Sequence, residues 1–401
     1  MTAKLYHQNG CTQCDAAVLD CRANADGTFD ILLDRTAIYP EGGGQLSNTG
    51  YIGPARCTHA RDDGGEIWHR CDRPLDIGQC VHVAADEAVR LDHTQQHTGE
   101  HMLSGLAHSM FGCTNVGFHM ADDIVTVDFD KPLSVEQIAE LELKVNEAIQ
   151  RDEPTRTVTV TPEEYETIEI RKKAKGLKGE ITVVYAGGVD SCTCCGTHCQ
   201  SAGQVGVLKI LSHMNYKGGV RIGFVCGMRA VLSMQRDGAR MDAIARRFST
   251  SADKAVDAVI KQGDELAAMR REFKQRTDML LDYRAKELAE KAELCGKTRA
   301  VVTMEEGLEA NELGFLCEKL CACGNMVAVV LAQKGENLSY RVARSADVAL
   351  SMRELIQAVN ALFGGKGGGR DDSAQGSAKL NGSAKDSVEQ LKAYVYRRIK
   401  G

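Results

Sequence analysis

The sequence lacks any apolar run approaching the ~20 residues a helix needs to span a bilayer, so no membrane segment is expected. Its first residues, Met1-Thr2-Ala3-Lys4-Leu5-Tyr6-His7, have no apolar core of the kind that marks a secretory signal. A cytoplasmic location is the expectation. The chain also lacks an excess of positive charge: 49 lysines and arginines stand against 55 aspartates and glutamates, a formal net charge of −6. The total therefore does not advertise a nucleic-acid binder, although phosphates answer to local patches rather than to the sum. One such patch is Arg171-Lys172-Lys173-Ala174-Lys175-Gly176-Leu177-Lys178, and a weaker one is Arg397-Arg398-Ile399-Lys400.

Cysteine is not scarce. In a long chain without a secretion signal, the 16 cysteines read as reduced thiols and metal ligands rather than a disulfide framework. Cys11-x-x-Cys14 is a candidate redox or zinc pair, but no second pair of fitting spacing follows nearby. A length of 401 residues points to two or three domains, and 43% hydrophobic with 26% charged residues describes an ordinary globular composition.

The chemistry concentrates at His97-Thr98-Gly99-Glu100-His101. Histidines four apart on a helix lie about 40° apart around its axis, so both imidazoles can reach one metal ion. Asp92 with Gln95 reads as the helix start, Leu91, Leu103 and Leu106 as its apolar contacts, and Gly112 as its stop. A second pair with the same spacing, Cys194 and His198, lies in Cys194-Cys195-Gly196-Thr197-His198. Together the two segments offer three nitrogens and one sulfur, a tetrahedral donor set suited to Zn2+. Cys192, Cys195 and Cys199 flank it. Glu100, beside a ligand, is a candidate general base, but its side chain points about 100° away from His101, towards a surface lysine or water.

The pattern His97-x-x-x-His101 followed by Cys194-x-Gly196-Thr197-His198 resembles the editing domain of alanyl-tRNA synthetases and their free-standing AlaX relatives. Tyr39-Pro40-Glu41-Gly42-Gly43-Gly44-Gln45 is similar to the glycine-rich motif of the barrel before that domain. Gly364-Gly365-Lys366-Gly367-Gly368-Gly369-Arg370 with Ala374-Gln375-Gly376 resembles the signature of the DHHA1 domain. The resemblance implies hydrolysis of the ester joining serine or glycine to tRNA(Ala), with zinc as cofactor and the mischarged tRNA as partner. It implies that Gly42, Gly43, Gly44 and Gln45 line the substrate site, and that Thr98 and Thr197 contact a ligand histidine or sense the serine hydroxyl. Lys366, Gly367, Gly368, Gly369, Arg370 and Gln375 would hold tRNA. His93 extends the helical row and is expected to be structural; His119 is a pocket candidate. Val116-Gly117-Phe118 stands where family members often carry polar residues, which puts serine recognition in doubt.

The expected fold class is α+β and multidomain. It comprises a small glycine-rich β-barrel over 1–88, an α+β zinc editing domain over 89–228, a helical coiled-coil linker over 229–294 and a C-terminal α/β DHHA1 domain over 295–401. Ser134 with Gln137, and Thr161-Pro162-Glu163-Glu164, signal two helix starts. A strand is expected over Val205–Leu211. Val259, Leu266, Phe273 and Leu280 recur every seven residues among charged neighbours, with Met269 and Tyr283 three beyond two of them. This seam suits either a spacer arm or a homodimer contact, the latter through the linker or the C-terminal domain. A glycine-rich loop after the helix Met352–Phe363 would present N–H groups to phosphates, with Lys366 and Arg370 adding charge.

Two other readings compete. His97-x-x-Glu100-His101 also fits a metalloprotease signature, with Glu164 or Glu169 as third ligand. A tRNA-binding module without hydrolysis is the other. The chain contains no Asp-His-His triplet of a DHH phosphoesterase, and it starts at the barrel, so no aminoacylation domain is expected.

Overall fold

The computed structural model describes residues 1–8, 10–173, 181–380 and 385–400. The second half of the basic patch, 174–178, lies outside the described residues. The chain divides into two compact units, Met1–Ile244 and Ala245–Gly401. Among the described residues no helix is long and apolar enough to cross a membrane.

The first unit opens with β1 (Ala3–Lys4), a short 3-10 turn over Leu5–His7, β2 (Gln13–Ala23), β3 (Phe29–Leu33), β4 (Arg35–Thr36), β5 (Gly50–Ile52), β6 (Ala55–Asp63), β7 (Glu66–Cys71) and β8 (Cys80–Ala85). Six of these strands close into a barrel in the order β2-β3-β7-β6-β5-β8, every pair antiparallel. Inward-facing Ile31, Leu33, Ile52, Ile67 and Val83 fill it. This is the small barrel read from the short strands and glycine turns. Barrel closure leaves no free edge.

Helix α1 (Glu87–Phe111) follows. It begins at Glu87, five residues before Asp92, the start read from the sequence. Asp86 caps it by accepting from the Ala88 and Val89 amides, and Gly112 ends it in the left-handed conformation. Asp92 lies inside the helix and pairs instead with Arg229, and Leu91 is exposed.

Then come β9 (Asn115–Met120), β10 (Val125–Phe129), α2 (Val135–Arg151), β11 (Arg156–Val160), α3 (Pro162–Thr167), β12 (Ile181–Ala186), β13 (Asp190–Thr193), β14 (Leu208–Tyr216) and β15 (Gly219–Cys226). The expected capping boxes of Ser134 with Gln137 and of Thr161 with Glu164 both form. Where one strand was expected over Val205–Leu211, a 3-10 turn ends at Val205 and the strand starts at Leu208. Two antiparallel sheets result, β14-β15-β10-β9 and β11-β12-β13. Met102, Leu103 and Ala107 of α1 pack with Leu141 and Val145 of α2 onto Val125, Val127 and Phe224. Every residue from Gln96 to Gly105 is buried. A helix buried on all sides is ordinarily apolar all round. This one carries Gln96, His97, Thr98, Glu100, His101 and Ser104, each of which must find a partner inside the protein.

Helix α4 (Gly227–Arg247) leads out of the first unit, and the helical run breaks at Ser249-Thr250-Ser251 before α5 (Ala255–Glu290). In the second unit, Ala285, Leu288 and Ala289 of α5 pack on Leu313 and Leu316 of α6 (Ala310–Cys321). The heptad positions Val259, Leu266, Phe273 and Leu280 are exposed. Strands β16 (Glu293–Cys295), β17 (Thr298–Glu306), β18 (Met326–Lys334), β19 (Asn337–Arg344), β20 (Lys366–Gly369) and β21 (Ser373–Lys379) form one sheet in the order β16-β17-β18-β19-β21-β20. Only β17 and β18 run parallel. Helices α7 (Met352–Phe363) and α8 (Lys385–Lys400) complete the unit. The glycine-rich segment expected as a loop is in part the edge strand β20, held against β21.

Candidate metal centre

Helix α1 carries His97 and His101 one turn apart, and the segment after β13 carries Cys194 and His198. The structure brings all four together: one donor atom from each lies within 4.8 Å of the others. The Cys194 sulfur is 3.4 Å from His97 Nε2, and the His198 ring centre is 4.7 Å from that of His97 and 4.8 Å from that of His101. Both His198 ring nitrogens are buried without a hydrogen-bond partner of good geometry. Buried polar atoms are ordinarily paired, so an imidazole left this way fits a site built to hold a cation.

The charge states suit that use. Burial alone would push the Cys194 thiol up, but His97, His198 and hydrogen bonding outweigh it and hold it well below its ordinary value. The thiolate is the ligating form. Burial lowers His198 to about 4, leaving a neutral imidazole. Burial would lower His101 too, yet Cys192 and Asp190 hold it well above its ordinary value, so a cation entering there displaces a proton.

The remaining nitrogens are fixed from behind. His97 Nδ1 donates to Gln45 Oε1 at 2.7 Å, and the same oxygen accepts from the Thr197 amide at 3.0 Å. Gln45 Nε2 donates to Thr197 Oγ1 at 2.9 Å. The expected substrate contact from Gln45 is thus replaced by a bridge: the side chain is fully buried, with both amide atoms engaged. His101 Nδ1 donates to Asp190 Oδ2 at 2.9 Å, and Arg171 Nη2 donates to the same oxygen at 3.0 Å. Burial would raise the Asp190 carboxyl; Arg171 and His101 outweigh it and hold it below the carboxylate range. Such partners fix ring orientation and leave each Nε2 for a metal. Gly196 makes the packing possible, because a Cβ there would fall 2.0 Å from His97 Cε1.

The other candidates scatter. Thr98 Oγ1 donates to the Thr94 carbonyl and accepts from the Cys199 amide; it ties the second segment to α1 and contacts no ligand histidine. Thr197 bonds Thr94 and Gln45. Glu100 reaches no surface lysine: it is buried and accepts from Ser104 and Asn115. His93 contacts Asn48, a structural place as expected, and His119 is exposed on β9. Cys11 and Cys14 join no metal-capable group among the described residues. Gly42 and Gly43 line a chamber of about 160 Å³ beside His97 and Cys194. Gly44 packs against Phe118, where a Cβ would meet ring and carbonyl at 2.6 and 2.9 Å, and Phe118 in turn stacks on His97 at 5.4 Å. In the second unit, Lys366, Gly367, Gly368 and Gln375 line a cleft of about 510 Å³; Gly369 and Arg370 do not. Gln375 Oε1 accepts from Arg341.

Sequence reasoning missed Asp190 and Thr94; it read Arg171 only as part of a basic patch and did not foresee that Phe118 stacks on His97. Asp190 lies four residues before Cys194, but nothing in that spacing foretells a carboxylate behind His101.

Residues 181–222 match the threonyl and alanyl tRNA synthetase second additional domain, and residues 296–400 match the DHHA1 domain. The chain thus carries domains related to those of alanyl-tRNA synthetase. Among proteins that carry such domains, it is related to the alanyl-tRNA editing proteins. It is 27% identical over 423 residues to alanyl-tRNA editing protein AlaX-L of Pyrococcus horikoshii, covering 98% of this chain and 100% of that protein. It is 31% identical over 237 residues to alanyl-tRNA editing protein Aarsd1 of Rattus norvegicus, covering 58% of each. Against the alanine–tRNA ligase of Psychrobacter cryohalolentis identity is 24%, over 91% of this chain and 44% of the ligase.

Proposed function

We propose that this protein is a zinc-dependent trans-editing hydrolase that deacylates seryl- or glycyl-tRNA(Ala). The observation that carries the reading is the convergence of His97, His101, Cys194 and His198, with both His198 ring nitrogens buried and unpaired. Zinc held there would supply a Lewis acid for the ester or an anchor for the substrate amine. The chain's own residues would do the rest. Gln45 and Asp190 hold the two α1 imidazoles in the ligating tautomer. Gly42, Gly43, Tyr39 and Pro40 wall a chamber that suits a small acyl group, and Lys366 and Arg370 would steady the tRNA. A separate hydrolytic site makes physical sense, because one methylene is worth only ~1–3 kcal/mol and an apolar pocket poorly rejects an added hydroxyl.

The protease reading loses support. Glu164 is spent in the cap of α3, and Glu164 and Glu169 are absent from the metal-capable groups of the described residues. The exposed heptad positions of α5 support self-association as a further part of the proposal.

The test is deacylation of seryl-, glycyl- and alanyl-tRNA(Ala), with and without a zinc chelator. Chelator-sensitive loss of the first two with alanyl-tRNA spared supports the reading. Survival of all three esters while the protein binds tRNA favours a binding module instead.

A further inference from the structure

Two chambers flank the segment Cys194–His198. The smaller, about 160 Å³, is bounded by His97 and Cys194; the larger, about 360 Å³, is bounded by Thr197 and His198. Tyr6, His7 and Gly196 line both, so they stand on the wall the two chambers share. Gly196 has no side chain to offer and His7 is exposed. Tyr6 is different. It is only 5% exposed, yet its hydroxyl makes no hydrogen bond to any described residue. The hydroxyl is not fully buried, so it stays open to water and free to donate to a ligand in the chambers that Tyr6 lines. The neighbouring Tyr39 hydroxyl has its partner, donating to the Gly42 carbonyl at 3.2 Å. Thr155, on the wall of the larger chamber, has a buried hydroxyl without a partner, which suits a polar occupant there.

The Tyr6 ring is well held. It meets the Tyr39 ring edge-on at 5.2 Å and the His7 ring at 4.5 Å. Pairing of β1 with β4, and an ion pair of Lys4 with Asp62, pin the segment to the barrel. Burial and the nearby Tyr39 raise the phenol above its ordinary range, so it remains a neutral donor at any working pH.

We propose that Tyr6 is a substrate-positioning residue, its hydroxyl donating a hydrogen bond to an acceptor oxygen of the aminoacyl-ribose ester at the wall the two chambers share. The inference rests on the ester-hydrolase reading above. With the small acyl group beside His97 and Cys194 and the terminal nucleoside in the larger chamber, the bond that joins them would pass that wall at Tyr6. The oxygens of that linkage are acceptors, which a phenol donor complements. The contact would fix the ester relative to the ligand cluster, a matter of orientation rather than of proton transfer.

The test compares wild type with Tyr6→Phe, which keeps the ring contacts and removes only the donor. The quantities are kcat and KM for seryl-tRNA(Ala), bound zinc, the unfolding midpoint, and affinity for adenosine carrying a 3′-serylamide, which cannot be cleaved. Tyr6→Phe should lose about tenfold in kcat/KM and weaken the serylamide by a similar factor, with zinc content and midpoint unchanged. Unchanged kcat/KM and affinity in Tyr6→Phe would overturn the proposal, as would a loss traced to zinc release or unfolding. A wild-type protein that cleaves no ester fails the hydrolase reading itself, whereas cleavage by wild type and Tyr6→Phe alike fails this proposal alone.

Discussion

Gln45 and His97 stand 52 residues apart in sequence and 2.7 Å apart in space, the glutamine oxygen accepting from the imidazole Nδ1. A barrel turn and a helix of the following layer thereby share one hydrogen bond, and the barrel sets the tautomer of a candidate metal ligand. Removing such a partner typically costs 10–100-fold in metal affinity. Gln45→Ala should therefore weaken zinc by about that factor in a chelator competition, with the barrel still folded.

Gly196→Ala tests the same contact from the other side. A methyl at that position would lie 2.0 Å from His97 Cε1 and 2.7 Å from Gln45 Oε1, so either the ring or the segment must shift. Zinc binding should fall at least as far as in Gln45→Ala, measured by the same competition. A variant that retained wild-type affinity would show that the ring has room to move.

Asp190 is fully buried between His101 and Arg171. Asp190→Ala strands a guanidinium in the interior, and breaking a buried pair from one side costs about 3–5 kcal/mol. Chemical denaturation should show a loss of that order. Replacing both Asp190 and Arg171 with apolar residues should recover part of it.

His69 gives a pH prediction away from the metal centre. It is buried in the barrel, its Nδ1 donating to the Ile31 carbonyl at 3.2 Å and its Nε2 accepting from Thr36 at 2.9 Å. Burial lowers it from the ordinary 6.5 to about 4. In the folded state it stays neutral while the unfolded chain already takes up a proton. Its contribution is complete above pH 6.5 and is lost as pH falls towards about 4, on the order of 3 kcal/mol across that window. The single tryptophan, Trp68, is buried next to it in β7 and reports barrel unfolding by fluorescence. Wild type should lose stability over this range, and His69→Gln should show a flatter profile.

Binding of tRNA should depend on salt through Lys366 and Arg370. If each neutralises a phosphate, each alanine substitution reduces the slope of log affinity against log salt by about one and weakens binding alike for charged and uncharged tRNA. An unchanged slope would move the contact elsewhere on the chain.

Much of this was legible in the sequence, for local reasons. Helix signals such as Ser134 with Gln137 and Thr161-Pro162 act over a few residues, and those helices start where the signals stand. The spacing of His97 with His101 and of Cys194 with His198 gave each half of the cluster because i, i+4 geometry is local. What joined the halves was not. Asp190 reaches His101 from 89 residues away, Gln45 turned from a substrate contact into a bridge, and Glu100 found Ser104 and Asn115 instead of the surface. The start of α1 was misread because Asp92 and Gln95 imitate a cap that Asp86 supplies earlier. An amphipathic pattern could not announce a helix buried on every side, since its inward positions are filled by polar groups with distant partners.

The most direct measurement is bound zinc per chain against the deacylation rate of seryl-tRNA(Ala), with protein first stripped of metal and then refilled in steps. The account predicts one zinc per chain, a rate that rises in proportion to occupancy, and neither zinc nor activity in His198→Ala. Full deacylation by metal-free protein, or stoichiometric zinc in His198→Ala, would contradict it.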